Sequence, residues 1–184
     1  ILLVHPSCLA APEIAASLRS LGLPAPDHTA GKAPASHYLF YDKAKLQLGH
    51  PGQMGQAGLY VDFASGELRH RHSDPRLRSE LLAKAVGVRG EHRPCVVDAT
   101  AGLGRDAFIL ASRGCQVWLI ERHPAIMALL QDGLRRARLE PALAETMTRM
   151  QALSGDARSI LQDWPDATRP EAIYLDPMYP QRRH

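Results

Sequence analysis

Aromatic residues are scarce in this 184-residue chain, where three Phe, two Trp and five Tyr make up 5%. Cysteine is scarcer still: Cys8, Cys95 and Cys115 are spaced neither for pairing nor for a metal site. An odd, scattered set of thiols argues against a disulfide scaffold and for a reducing, cytoplasmic setting. No stretch approaches the roughly 18 consecutive apolar residues that span a bilayer, so no membrane association is expected. The opening Ile1-Leu2-Leu3-Val4 lacks the length and basic flank of a signal peptide. No G-x-S-x-G and no catalytic cysteine context occur, which leaves nucleophilic hydrolysis unsupported. Neither sign of charge dominates, with 22 Lys and Arg against 19 Asp and Glu and a formal charge of +3. The 45% apolar content is enough for a real core in one medium domain, or a domain with an appendage.

The basic residues are grouped: Arg69-His70-Arg71-His72, Arg76 with Arg78, Arg135-Arg136 with Arg138, and Arg182-Arg183-His184. Each cluster has two readings, a phosphate contact or a solvated face. His70, His72 and Asp74 form an incomplete metal set, and no metal is expected.

Texture changes along the chain. Residues 1–75 hold seven of the 14 Pro and seven of the 14 Gly, with β-like runs at 38–41, 46–48 and 59–63 between turn signals. Pro12 to Leu21 reads as a short helix stopped by Gly22 and Pro24. The expectation is a small β-rich N-terminal subdomain over 1–75, followed by a nucleotide-binding domain over 76–184. A helix is expected from Asp74-Pro75 to about Val86, with Leu77, Leu81, Leu82 and Ala85 at helical spacing. Strand and helix then alternate: strand at Val96-Val97, helix 106–112, strand 116–120, helix 124–138. A brief strand at 151–154, a helix at 159–164 and a strand at 172–175 follow. That order implies an α/β, doubly wound parallel sheet of Rossmann-like type. An apolar fourth strand with no later partner would be an aggregation hazard, and position 1 is Ile. The reading therefore expects a longer chain, with further C-terminal strands beyond His184.

The chemistry concentrates in Cys95 to Asp106, C-V-V-D-A-T-A-G-L-G-R-D. An apolar strand ends in Asp98, small residues with Gly102 and Gly104 turn the chain, and a helix follows. The segment Gly102 to Ala107 satisfies G-x-G-x-x-A, and Glu121 ends the next strand where a ribose-binding acid belongs. A nicotinamide dehydrogenase is thus an open reading. Against it, Asp98 would repel a pyrophosphate, whereas Asp98 and Asp106 suit a ligand carrying an ammonium and a sulfonium, such as S-adenosylmethionine (SAM). Ser154-Gly155-Asp156-Ala157 follows the third strand and can present an acceptor to an adenine amino group.

Asp176-Pro177-Met178-Tyr179-Pro180 is the sharper feature. An exocyclic amine on a purine is a poor nucleophile, since its lone pair is delocalised into the ring. The Asp176 carboxylate and the Pro177 carbonyl can accept its hydrogens and free that lone pair, proline fixing the carbonyl's direction. Tyr179 offers a stacking surface, orientation supplies most of the rate, and Asp176 can take the departing proton.

On these residues the chain resembles the class I SAM-dependent methyltransferases. More narrowly, it resembles the ribosomal RNA small subunit methyltransferase J family. The likeness rests on D-A-T-A-G-L-G-R-D-A-F-I-L-A at 98–111, L-I-E-R-H-P at 119–124, A-L-L-Q-D-G-L at 128–134 and I-Y-L-D-P-M-Y-P at 173–180. It runs from about residue 37 to the end, and Leu59-Tyr60-Val61-Asp62-Phe63 with Gly66 fits the family's style. The resemblance implies methylation of the 2-amino group of a guanosine in 16S rRNA, with 16S rRNA or the small ribosomal subunit as partner. It also implies a cofactor pocket involving Arg105, Asp106, Glu121, Arg122, Asp156, Ala157 and Asp176. Adenine N6-methylation of DNA or RNA, and a non-catalytic RNA-binding module, remain alternatives on the residues alone. Nothing in the pattern specifies an oligomeric state.

Overall fold

The computed structural model describes residues 2–28, 37–50, 56–65 and 75–177, with the side chains of residues 75–78 excluded. Two sheets organise them. The first contains β1 (Leu2–Val4), β2 (His37–Asp42) and β3 (Lys45–Gly49) in the order β1-β2-β3. Strands β1 and β2 run parallel, and β2 and β3 form an antiparallel hairpin. A 3₁₀ turn at Pro6–Ala10 and helix α1 (Pro12–Ser20) follow β1, with proline in the first turn of each. Gly22 takes φ +67° just beyond α1, a left-handed stop that costs glycine little.

Helix α2 (Pro75–Ala85) leads into the second sheet and packs on helix α3. That sheet contains β4 (Cys95–Asp98), β5 (Gln116–Glu121), β6 (Met150–Ser154) and β7 (Ala172–Tyr174). All are parallel, in the order β6-β5-β4-β7. Between them lie α3 (Arg105–Ser112), α4 (Pro124–Ala137), α5 (Ala144–Thr148) and α6 (Ala157–Gln162). Val96 and Val97 are both fully buried, as expected for a strand covered on two faces. Val96, Val117 and Leu119 join one apolar cluster with α3 and α4, while Val97, Ala99 and Ile120 join another beside α6.

Helix α4 is buried around most of its girth, because the sheet lies on one side and the β2–β3 hairpin on the other. One apolar cluster accordingly runs from Val4, Cys8 and Ile14 through Leu39 and Leu46 to Leu129 and Leu130. Gly133, inside α4, leaves room for the N-terminal segment: a Cβ there would stand 2.6 Å from Val61 Cβ.

Three sequence expectations need correction. The run 59–63 is not a strand; only Leu59 bridges, to Leu48. Val61 and Phe63 are buried against α4 and α3, and the intervening Asp62 is held by Lys45 at 2.7 Å, so both sides of the segment are anchored without a ladder. In the Arg135-Arg136-Arg138 cluster, Arg135 and Arg136 are committed to internal partners, while Arg138 stays exposed. Arg135 and Arg136 donate to the buried Asp132 at 2.8 and 2.9 Å, Arg136 also to the Val61 carbonyl, and Arg138 to the Met150 carbonyl at 3.4 Å. Asp132 further accepts from Leu46 N–H at 3.0 Å, binding the hairpin to α4. Finally, β1 and α5 lie where no element was expected, both too short to carry a periodic signal.

Candidate active site

Chain order fixes where a ligand belongs. The path β4, β5, β6 steps outward in one direction, and β7 returns to the opposite side of β4. Strand order reverses between β4 and β7, the crevice where open parallel sheets take ligands at their carboxyl ends. Asp98, Glu121 and Ser154 end β4, β5 and β6, and Asp176 follows β7 by two residues.

The loop from Asp98 to Gly104 is held by a chain of hydrogen bonds. Thr100 N–H donates to Asp98 Oδ1 at 3.1 Å, Ala101 N–H to the Ile120 carbonyl at 3.1 Å, and Gly104 N–H to the Ala101 carbonyl at 2.8 Å. Gly104, at φ +73°, opens α3 where a Cβ would meet Leu130 Cδ1 at 2.8 Å. Gly102, at φ +52°, faces open space, with only the Thr100 carbonyl near a would-be Cβ at 3.9 Å. Its bare backbone allows a ligand to approach closely.

Glu121 bridges two elements. Its Oε2 accepts from Gly102 N–H at 3.1 Å and its Oε1 from His123 N–H at 2.6 Å. Each oxygen keeps a further lone pair, so paired hydroxyls can still bind there. Two side-chain hydrogen bonds tie β7 to this loop: Asp176 N–H donates to Thr100 Oγ1 at 2.8 Å, and the Tyr174 hydroxyl donates to Asp106 Oδ2 at 2.8 Å.

Electrostatics mark the same place. Asp98 is only 2% exposed, and its pKa is pushed up to about 7. Burial is the main cause, the charges of Asp106, Asp176 and Glu121 add to it, and the Thr100 N–H opposes it. Tyr174 is likewise held well above the usual phenol range by burial and by its bond to the Asp106 carboxylate. Three carboxylates crowding a buried fourth, Asp98, form a site that a cation would relieve.

Asp98, Gly102, Gly104, Asp106, Glu121 and Asp176 are thus brought together. Arg105 and Arg122 are exposed beside them. Asp156 is the N-cap of α6, accepting from Ser159 N–H at 3.2 Å, with Ala157 the first helical residue; Gly155 N–H reaches the Glu121 carbonyl at 3.1 Å. Pro177 is exposed. Tyr179, the His70-His72-Asp74 set, the cluster at 69–72 and Arg182-Arg183-His184 lie outside the described residues. Among the described residues no group of His, Cys, Asp and Glu is arranged to hold a metal ion. Neither of two clefts, of about 430 and 500 Å³, is lined by Asp98, Asp106, Glu121 or Asp176, so the site is assigned by its converging groups and not by concavity.

Sequence reading overlooked Thr100 and Tyr174. Thr100 carries a hydroxyl in a loop of small residues, and Tyr174 puts a polar tip on a strand of apolar neighbours, which calls for a buried partner.

Residues 27–184 match a family model described as SAM-dependent methyltransferase. The chain belongs to that family. It is 56% identical over 124 residues to ribosomal RNA small subunit methyltransferase J of Thioalkalivibrio sulfidiphilus, a match covering 67% of this chain and 49% of that protein. The same-named protein of Dechloromonas aromatica is 50% identical over 137 residues, 74% of this chain and 56% of its own length. The chain therefore spans about half the length of the curated relatives it matches. A solved SAM-dependent methyltransferase from Neisseria gonorrhoeae superimposes with TM-score 0.80 at 35% identity, covering 97% of this chain and 69% of that one.

For a SAM-dependent methyltransferase the donor set is chemically apt. The Glu121 oxygens have lone pairs for ribose hydroxyls, Gly102 leaves an open approach, and the carboxylate group suits a sulfonium and an ammonium. No helix among the described residues is long and apolar enough to cross a membrane.

Proposed function

We propose that this chain methylates the exocyclic 2-amino group of a guanosine in 16S rRNA, in the cytoplasm, with SAM as donor. The observation that carries this reading is the convergence of Asp98, Asp106, Glu121 and Asp176 at the β4–β7 crevice, where burial and mutual repulsion push Asp98 up to about 7. A site so loaded with negative charge favours a cationic ligand over a dinucleotide pyrophosphate. The names of the relatives support rRNA as the acceptor.

SAM supplies an electrophilic methyl on a positively charged sulfur. In this chain, Glu121 holds the ribose hydroxyls, Asp156 and Ala157 approach the adenine edge, and Arg105 and Arg122 line the rim. Asp176 and the Pro177 carbonyl accept the two amine hydrogens, aligning the nitrogen lone pair with the methyl, and Tyr179 stacks on the base. Nitrogen then gains the methyl as the sulfur–carbon bond breaks, sulfur leaves as a neutral thioether, and the surplus proton passes from nitrogen to the Asp176 carboxylate. Thr100, by holding Asp176 N–H, sets the height of that carboxylate over the loop. Residues 76–184 are assigned to donor binding.

Asp176→Ala in the full-length protein tests the assignment. Methyl transfer to undermethylated 16S rRNA should fall by about two to four orders of magnitude with the fold intact. Unchanged transfer would reject the role, and mass mapping of the methylated fragment identifies the base.

A further inference from the structure

The outward face of the β2–β3 hairpin carries a cleft of about 500 Å³, separate from the carboxylate-lined strand ends. Its composition is unusual for this chain: four of the ten aromatic residues, Tyr38, Phe40, Tyr41 and Tyr60, line it. Register explains part of this. Tyr38 pairs with Gly49 and Phe40 with Gln47, so these share one face, while Leu39 and Leu46 turn into the core. The Tyr38 ring occupies the space a Gly49 Cβ would need, and Phe40 packs beside it with ring centroids 5.3 Å apart. Gln47 uses its amide internally, accepting from Gly58 N–H at 2.9 Å and donating to the Asp42 carbonyl at 3.3 Å. Tyr60 forms another wall, with Lys45 Nζ over its ring, 4.4 Å from the centroid, and bonded to Asp62.

At the mouth, Lys43 and Ala44 form the two-residue turn with φ +48° and +58°. Hairpins of this kind prefer Asn and Gly at such positions, because both residues need positive φ. An exposed lysine is instead held there, in a conformation that serves display more than stability.

We propose that this cleft binds an unpaired base of the RNA substrate together with its phosphate. Phe40 and Tyr60 offer ring faces for stacking, and Lys43 contacts the phosphate. The proposal rests on the reading of the chain as an RNA methyltransferase. Flat rings grouped around one volume match a planar base, whereas an acidic peptide needs cations and no stacking wall.

The test uses the full-length protein, a short fluorescein-labelled single-stranded RNA, and the variants Tyr60→Leu, Phe40→Leu and Lys43→Gly. Both ring variants should weaken RNA binding about five- to a hundredfold. Lys43→Gly should lower the salt dependence of binding by about one unit of log–log slope, with its melting temperature unchanged or higher. In all three, KM for rRNA should rise while kcat and the calorimetric affinity for SAM stay at wild-type values. Ultraviolet cross-links from uridine should map to the peptide containing Phe40 or Tyr60. Wild-type RNA affinity in all three variants, beside an active wild-type enzyme, would overturn the cleft and leave the methyltransferase reading standing. So would polyglutamate binding that these variants abolish while RNA binding persists. A wild type that neither binds RNA nor transfers methyl would sink both.

Discussion

Asp98 shows how much one residue's surroundings decide. An exposed aspartate ionises near pH 4, but here burial and three neighbouring carboxylates raise the folded-state pKa to about 7. Between those two values the folded state binds a proton that the unfolded chain has lost, so stability falls as pH rises from about 4 to 7 and then levels. The loss attributable to this group is on the order of 4 kcal/mol. Asp98→Asn keeps an oxygen for the Thr100 N–H and cannot ionise. Urea denaturation of the SAM-free protein should therefore show the Asn variant gaining on wild type from pH 5 to 7, with a constant advantage above; a gap independent of pH would contradict this. Ligand binding has the opposite dependence. A cation beside Asp98 favours its ionised form, so SAM affinity should rise with pH through about 7 with proton release on binding. Calorimetry in buffers of different ionisation enthalpy measures that release. Tyr174→Phe removes the hydroxyl bond to Asp106, and SAM affinity should drop roughly five- to tenfold, the equivalent of one hydrogen bond.

At the scale of elements, two glycines and one aspartate decide how the pieces meet. Gly104 opens α3 in a left-handed conformation with Leu130, Leu119 and Phe63 closing on it. Gly104→Ala should destabilise the protein by about 2–4 kcal/mol, through backbone strain and overpacking together, with thermal melting as the readout. Glycine inside a helix usually costs stability, yet Gly133 gives Val61 its place against α4. Asp132, buried within α4, accepts from Arg135, Arg136 and Leu46 N–H. Asp132→Ala leaves two arginines facing an empty acceptor and should cost about 3–5 kcal/mol. Native-state hydrogen exchange should show β3 losing protection first; uniform loss would show that the residue does not couple the hairpin specifically.

At the scale of the whole molecule, the two sheets share one apolar cluster through α4, so the texture change near residue 75 does not divide the core. The parallel sheet was legible in the residues, because alternating apolar strands and helices signal βαβ units even when the strands are three to six residues long. Asp98 and Glu121 were legible too, each as an acid closing an apolar strand. What escaped reading depended on partners distant in the chain. Arg135 and Arg136 resembled a basic patch because Asp132 looked like an ordinary helical acid, and only burial beneath the hairpin turns the three into a latch. The segment 59–63 had the alternation of a strand, but among the described residues its pairing stops at the Leu59–Leu48 bridge and its side chains are claimed by two helices.

Local order along the chain thus determined the strand–turn–helix loop, the acids at the strand ends and the family, since these depend on neighbours a few residues apart. Tertiary structure alone decided which charges are paired, that Thr100 and Tyr174 bind the last described strand to the loop, and that Asp98 resists ionisation. Those properties follow from burial and from groups up to 86 positions away, which no local pattern records.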